Sequence, residues 1–592
     1  MIRNLMLGVA SLALTSATAT TPAQTLPPDA LQLLDPLQQL RFRCGGGRER
    51  GTLVRARLQL ASAARTLQPE QAAAPALIEG LSAVRYPITA ADPRAQAYFN
   101  QGLALAYGFN HDAAIRAFRA GQQLDPTCAM CFWGEAYARG PNINAPMDAE
   151  ANTRTLAALE RAMALRLRVS DREQALIEAL AARYSDNPKA DRAALDQAYA
   201  NAMNRVAARF PQDDDIAILT AEAAMDTQPW DYWENGGRTP KGRIGGAVAR
   251  VEQVLARNPN HPQAIHLYIH LLEASAMPEK AEAAADRLAS PLVPAAGHLV
   301  HMPAHLYYRL GRFKDSIKVN VAAAMADEAY LRTAEDEGLY RYGYYPHNVH
   351  FIVASAQMGG DKATAIDQSR RLQEVLGVKV ALAMPWVQAI WAAPYFAHAQ
   401  FSRPAEILMQ PKPDSRMPYV TGMWRYSRAV AHALRKDARA VERELTELRR
   451  IRNSTDFASM TAGGVPAADL LQLAEHVARG RLALASARYR DAIRHYQAAI
   501  AIEDRLPYME PPYWYYPVRQ SLGAAKLAAG DPAGARQTFL ETLARSPNNG
   551  WALYGLAEAQ QRLGEKVGRR ATLAALQRAW LGRKQDLSLD RL

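Results

Sequence analysis

Between His266 and His350 the sequence concentrates side chains that can bind a metal or carry a proton. Seven of the 13 histidines fall in these 85 residues, where an even spread would place about two. His266 and His270 lie in HLYIHLLEAS together with Glu273; His298, His301 and His305 lie in GHLVHMPAHLYYRLG; His347 and His350 lie in PHNVHF. His266 to His301 and His270 to His305 are both 35 residues, so one His-x-x-x-His pair recurs after about one helical-hairpin repeat. Imidazoles with a carboxylate suit zinc, copper, nickel or ferrous iron better than calcium or magnesium.

The elements that must hold these rings are helices. Alanine, leucine and arginine dominate the 592 residues and β-branched runs are scarce, which predicts an all-α chain. From Asp92 onward, AQAYFNQGLALAYGFNHDAAIRAFRAGQQLDP sets small residues (Gly102, Ala114) against large ones (Phe99, Phe118) and closes on Asp125-Pro126. Small positions let paired helices approach, aromatics fill the gap, and proline ends the second helix. The unit resembles the tetratricopeptide repeat (TPR). Similar units recur in LYYRLGRFKDSIKVNVAAA, in RGRLALASARYRDAIRHYQAAIAIEDRLP and toward the C-terminus, where Gly530 and Gly564 are 34 apart. FNHDAAIRAF, CAMCFWGEAYARGPNINAP, HMPAHLYYRLGR and EPPYWYYPVRQSLGAA together resemble an exported bacterial TPR family of uncharacterised function. That resemblance implies a helical-hairpin repeat solenoid, a right-handed superhelix over residues 92–580 with a tail at 581–592, and no particular activity.

In such a solenoid the first helices of neighbouring units lie side by side and line the concave surface. Aligned on Ala281, Gly311 and Gly360, His266, His301 and His350 take repeat position 5, His270 and His305 position 9, Glu273 position 12, and His298 and His347 position 2. These positions form one helical stripe. The expectation is therefore a metal set of His266, His270, Glu273, His301, His305 and His350, with Glu273, His298 and His347 at the edge of the site. Tyr340, Tyr342, Tyr344 and Tyr345 in GLYRYGYYPHNVH are expected to join His298 and His347 in contacting a ligand. Pro303 must kink this helix or start it near Met302. Direct contact with a peptide or small molecule, or structural hydrogen bonding, are the alternatives to metal. Aromatic loops around Trp230–Trp233 and Tyr513–Tyr516 suit either a groove wall or plugs between repeats.

Arg3, an apolar run from Leu5 to Leu14 and the small residues Ala17-Thr18-Ala19 have the layout of a cleavable signal peptide over residues 1–19, which predicts a periplasmic or secreted protein. Residues 20–91 are rich in alanine and proline and suggest short helices with loose connections. The net charge of +12 is scattered over helix faces, so no nucleic-acid partner is expected, nor a membrane span in the mature chain. Cys44 stands alone, while Cys128 and Cys131 form a Cys-x-x-Cys that could be a disulfide, half of a metal site or two core residues. The chain carries no His-Glu-x-x-His, since residue 267 is Leu. The function expected is an exported scaffold that holds a peptide, protein or small ligand in a histidine-lined concave groove, with or without a metal in it. The alternative is a metalloenzyme with Glu273 as base or ligand.

Overall fold

The structure is a computed structural model that describes residues 74–592, apart from 146, 148–150, 188, 291 and 335–337. The signal-peptide reading, Cys44 and most of the alanine- and proline-rich segment lie outside the described residues. The protein is an all-α, TPR-like solenoid of helical hairpins. Among the described residues, with Gly297–His301 and Pro303–Arg309 taken as one broken helix, Val387–Trp391 and Ala393–Phe401 as another, and the short Ala458–Ala462 set aside, the α-helices fall into twelve successive pairs, from Pro93–Tyr107 with His111–Leu124 to Gly550–Leu563 with Lys566–Ala579. The only strands among them are a two-residue hairpin, Trp233–Glu234 against Thr239–Pro240. No helix among them is long and apolar enough to cross a membrane.

The pairs close on aromatic rings seated in glycine notches. Phe118, on the second helix of its pair, lies where a Cβ on Gly102 would come within 2.6 Å and one on Gly134 within 2.4 Å. One ring therefore packs against the first helix of its own pair and the first helix of the next. Phe539 sits in the same way between Gly523 and Gly555, where Cβ atoms would come within 2.7 and 2.2 Å, and Tyr496 fills a notch at Gly480. Side-chain absence at these glycines is what lets the helices meet across an aromatic layer.

The solenoid does not stay open. Its C-terminal pairs return to the middle of the chain. Leu581 N–H donates to the Gly359 carbonyl at 2.8 Å, Trp551 Nε1 to the Gln357 carbonyl at 3.0 Å, and Arg591 Nη1 to the Ser402 carbonyl at 3.0 Å. Gly311, at φ 72°, packs so closely on Pro547 that a Cβ would fall 1.9 Å from its carbonyl oxygen. At the other end, Pro294 to Ala296 pack on Gly80 and Gly108, and Arg116 reaches the Tyr330 hydroxyl at 3.0 Å. Each repeat of an open solenoid touches only its neighbours; here the middle pairs are covered from both ends.

The notches predict an asymmetric glycine series. Gly555→Ala drives a methyl group into the Phe539 ring and lowers stability by about 1–3 kcal/mol, the usual cost of overpacking. Gly246→Ala, in the helix Ile244–Arg257 with nothing within 4 Å of its Cβ, leaves stability unchanged or raises it by about 1 kcal/mol. Thermal melts of the two variants check the contrast.

Candidate metal centre

The histidines converge at the centre of this closed arrangement. His266 and His270 project from the helix Pro262–Leu272, which Pro262 opens and which hands over to Glu273 at its C-cap. His298 and His301 lie on the short helix Gly297–His301 and His305 on Pro303–Arg309. Met302 keeps helical angles between them, and Met302 N–H still donates to the His298 carbonyl at 3.1 Å, so the helix passes through Pro303 with a break instead of starting there. His347 and His350 follow a π-helical turn, Tyr340–Tyr344, at the head of Tyr345–Gly359.

Below the rings lies Phe109. It ends the helix Pro93–Tyr107 in a left-handed turn at φ 56°, with Asn110 N–H donating back to the Leu105 carbonyl at 2.9 Å. That conformation costs a bulky residue about 1 kcal/mol or more. It brings the Phe109 ring to 4.9 Å from both His266 and His298, measured between ring centres, and to 6.1 Å from His270.

The hydrogen bonds fix how the rings face. His266 Nδ1 meets Gln263 Oε1 at 2.8 Å and His270 Nδ1 meets Glu273 Oε1 at 2.7 Å. His301 Nδ1 lies 2.6 Å from Asn320 Oδ1, and the Asn320 amide is itself oriented because its Nδ2 donates to the Ser316 carbonyl at 2.7 Å. His305 Nδ1 sits between Glu273 Oε2 at 2.7 Å and Glu510 Oε2 at 3.0 Å. Each partner is an acceptor, so each Nδ1 carries the proton and donates it outward. The Nε2 atoms of His266 and His301 are thereby left with inward lone pairs. His266 Nε2 faces His298 Nε2 at 3.2 Å, and His301 Nε2 faces His305 Nε2 at 2.9 Å.

Either a proton on the partner nitrogen or a metal ion between the two can meet each of these lone pairs. Nitrogens bound to one ion at about 2.0–2.1 Å stand about 2.9 Å apart at a right angle and about 3.3 Å apart at the tetrahedral angle. Both observed separations match such edges. His266, His270 and His298 form one set whose ligand atoms all lie within 4.8 Å of one another, and His301, His305 and His347 form a second. Glu273, His305 and Glu510 form a third.

Burial sets the charges. Burial and the neighbouring imidazoles hold His266, His298 and His301 well below the ordinary imidazole value, and burial alone pushes His350 down to about 3. Burial also opposes charge on His305, but Glu273 and Glu510 outweigh it and push the imidazole up to about 9. Glu273 is held well below the usual carboxylate range because His305 and His270 overcome its burial. Glu510 is pushed up to about 7, mainly by burial. A proton on His305 Nε2 can bridge to the His301 Nε2 lone pair at 2.9 Å.

The structure redistributes the expected roles. His266, His270, His301 and His305 are brought together as the spacing predicts. Glu273 is fully buried at the centre instead of at the edge, and His298 and His347, expected among the ligand contacts, belong to the histidine sets. His350 lies apart from those sets, with Nε2 2.7 Å from the Tyr515 hydroxyl, although it still lines the adjoining cavity. Of the four tyrosines, Tyr344 lines the cavity and packs edge-on against His298; Tyr340 donates to Asp327, Tyr345 to Glu328, and Tyr342 is half-buried away from the lining. Cys128 and Cys131 are bonded to each other and fully buried beside Ala95, far in sequence from the rings.

The cavity holds about 130 Å³ and is walled by Trp230, Trp386, Ile390, Tyr508 and Tyr513 beside His270, His298, His305 and His347. Sequence reasoning missed Phe109, Asn144, Gln263, Asn320 and Glu510. Asn144 ties the wall together, accepting from Trp230 Nε1 at 3.1 Å and donating to the Tyr344 hydroxyl at 3.4 Å. Gln263 carried a usable signal, standing one helical turn before His266; Glu510, 205 residues from His305, carried none.

No family model matches the chain, and no curated protein matches it by sequence. Among solved structures, the human IFIT1 dimer with m7Gppp-AAAA aligns over 93% of this chain and 99% of its own, at 12% identity and a TM-score of 0.30. The TPR domain of P58(IPK) aligns over 58% of this chain and 90% of its own, at 14% identity and a TM-score of 0.19. Likenesses of this size support no argument about this chain. The class that its own helices and side chains define is a helical-hairpin repeat protein with a buried imidazole and carboxylate centre.

Asp327 anchors the approach to His347. It is fully buried and accepts from the Tyr340 hydroxyl at 2.6 Å and from Asn348 Nδ2 at 2.7 Å, and burial pushes its carboxyl up to about 7. The folded value lies above the unfolded one of about 3.9. Its contribution to stability is therefore complete below about pH 4 and is lost as pH rises through about 7. In thermal melts across that window, Asp327→Asn should flatten the decline seen in the wild type.

Proposed function

We propose that this chain is a TPR-like scaffold built around a transition-metal centre, and that its cavity admits a small molecule to that centre. Zinc, copper, nickel and ferrous iron all suit the ligand set. The observation that carries the reading is the orientation of the rings: His266, His270, His301 and His305 each anchor Nδ1 on an oxygen, and the two resolved Nε2 pairs point at each other. Outer partners that fix the tautomer of a histidine in this way are the usual second layer of a metal site.

Burial favours the metalloenzyme reading over a peptide-binding groove. The rings of His266 and His301 are fully buried, and a cavity of about 130 Å³ falls well short of the roughly 300–1,000 Å³ that drug-sized ligands occupy. A peptide lying along the repeats would not reach them. The bond between Cys128 and Cys131 supports export to an oxidising compartment, where such bonds persist.

Elemental analysis of the full chain purified from its own compartment tests the proposal. Stoichiometric transition metal is expected, falling at least tenfold in His301→Ala and unchanged in His495→Ala, whose ring lies in a distant pair beside His476. Protein that carries no metal and takes up none of these four ions after dialysis against them overturns the reading.

A further inference from the structure

The cluster contains more ligands than one ion can use. The six imidazoles divide into His266, His270 and His298 on one side and His301, His305 and His347 on the other. Each half is a His-x-x-x-His pair, one from each repeat, completed by a third histidine. The halves adjoin: the rings of His270 and His305 are 5.6 Å apart and those of His298 and His301 are 5.8 Å apart, between centres. A single carboxylate spans the boundary, since Glu273 places Oε1 on His270 Nδ1 and Oε2 on His305 Nδ1. One buried anion thus orients one ring of each half.

The rings are also walled in as two groups. Phe109 packs on His266, His270 and His298. Phe351 packs on His301, His305 and His347 at 5.0, 4.8 and 5.0 Å. Each half therefore has its own apolar cap, so each presents a separate three-nitrogen site.

From this arrangement we infer that the centre is dinuclear and holds two transition-metal ions, one on each triad of histidines. This deepens the proposed function and rests on it. Three neutral imidazoles on each side suit zinc, copper, nickel or ferrous iron. The His266 and His298 nitrogens, 3.2 Å apart, and the His301 and His305 nitrogens, 2.9 Å apart, each flank one ion. The competing arrangement is a single ion on Glu273, His305 and Glu510, which would take His305 through Nδ1 and leave the other rings unused.

The test is anaerobic titration of the metal-free full-length chain with zinc, copper, nickel and ferrous iron in turn, each in competition with a chromophoric chelator. Two ions per chain are expected for the ion bound most tightly. His266→Ala and His347→Ala should each lower the count from two to one, with helicity by circular dichroism unchanged, while His495→Ala keeps two. One ion per chain that survives both histidine substitutions and is lost in Glu510→Gln overturns the dinuclear inference and leaves the metal centre standing. Uptake of no metal by the folded wild type overturns the proposed function itself.

Discussion

Everything at the centre depends on one buried carboxylate. Glu273 has no exposed surface, and an ion so placed is tolerated only when its oxygens are fully engaged. Its Oε1 accepts from His270 Nδ1 and its Oε2 pairs as an ion with His305 Nδ1 at 2.7 Å, two rings that belong to different repeats. That requirement fixes the approach of the helix Pro262–Leu272 to Pro303–Arg309. It also turns the far edge of each ring inward, and the facing imidazoles follow from it. Arg309 reinforces the arrangement by donating to the Glu273 carbonyl at 2.6 Å while its guanidinium lies over the Tyr508 ring.

Much of this was legible in the residues. The 35-residue recurrence of His-x-x-x-His needs only repeat geometry to set His270 beside His305, and the glycine and aromatic alternation at Gly102 and Phe118 needs only steric fit to announce paired helices. Phase was harder. Assigning repeat positions assumes a uniform helix, whereas the π-turn Tyr340–Tyr344 adds a residue to one turn and the break at Pro303 tilts another. The added residue rotates the face that follows the π-turn by about one residue. Hence His347 faces the cluster, and His350 is turned toward Tyr515.

Distance in sequence hid the rest. Glu510 and Asn320 act on rings 205 and 19 residues away, and no local pattern encodes those approaches. Phe109 was hidden for a different reason. Left-handed backbone is ordinarily signalled by glycine or asparagine, and here a phenylalanine occupies it immediately before the capping Asn110.

The return of the C-terminal pairs onto the middle of the chain restricts how this fold can change over evolutionary time. An open solenoid gains or loses repeats with little penalty, because each addition merely extends an end. Here the segment from Gly311 to Pro547 forms a ring closed by direct contact, and Glu510 reaches His305 only because the intervening pairs have the right number and curvature. Duplicating one hairpin between His305 and Glu510 would carry Glu510 away from the imidazoles by about 10 Å, the spacing of adjacent helices. Repeat number, free to drift in most proteins of this architecture, is in this one a fixed dimension of the centre.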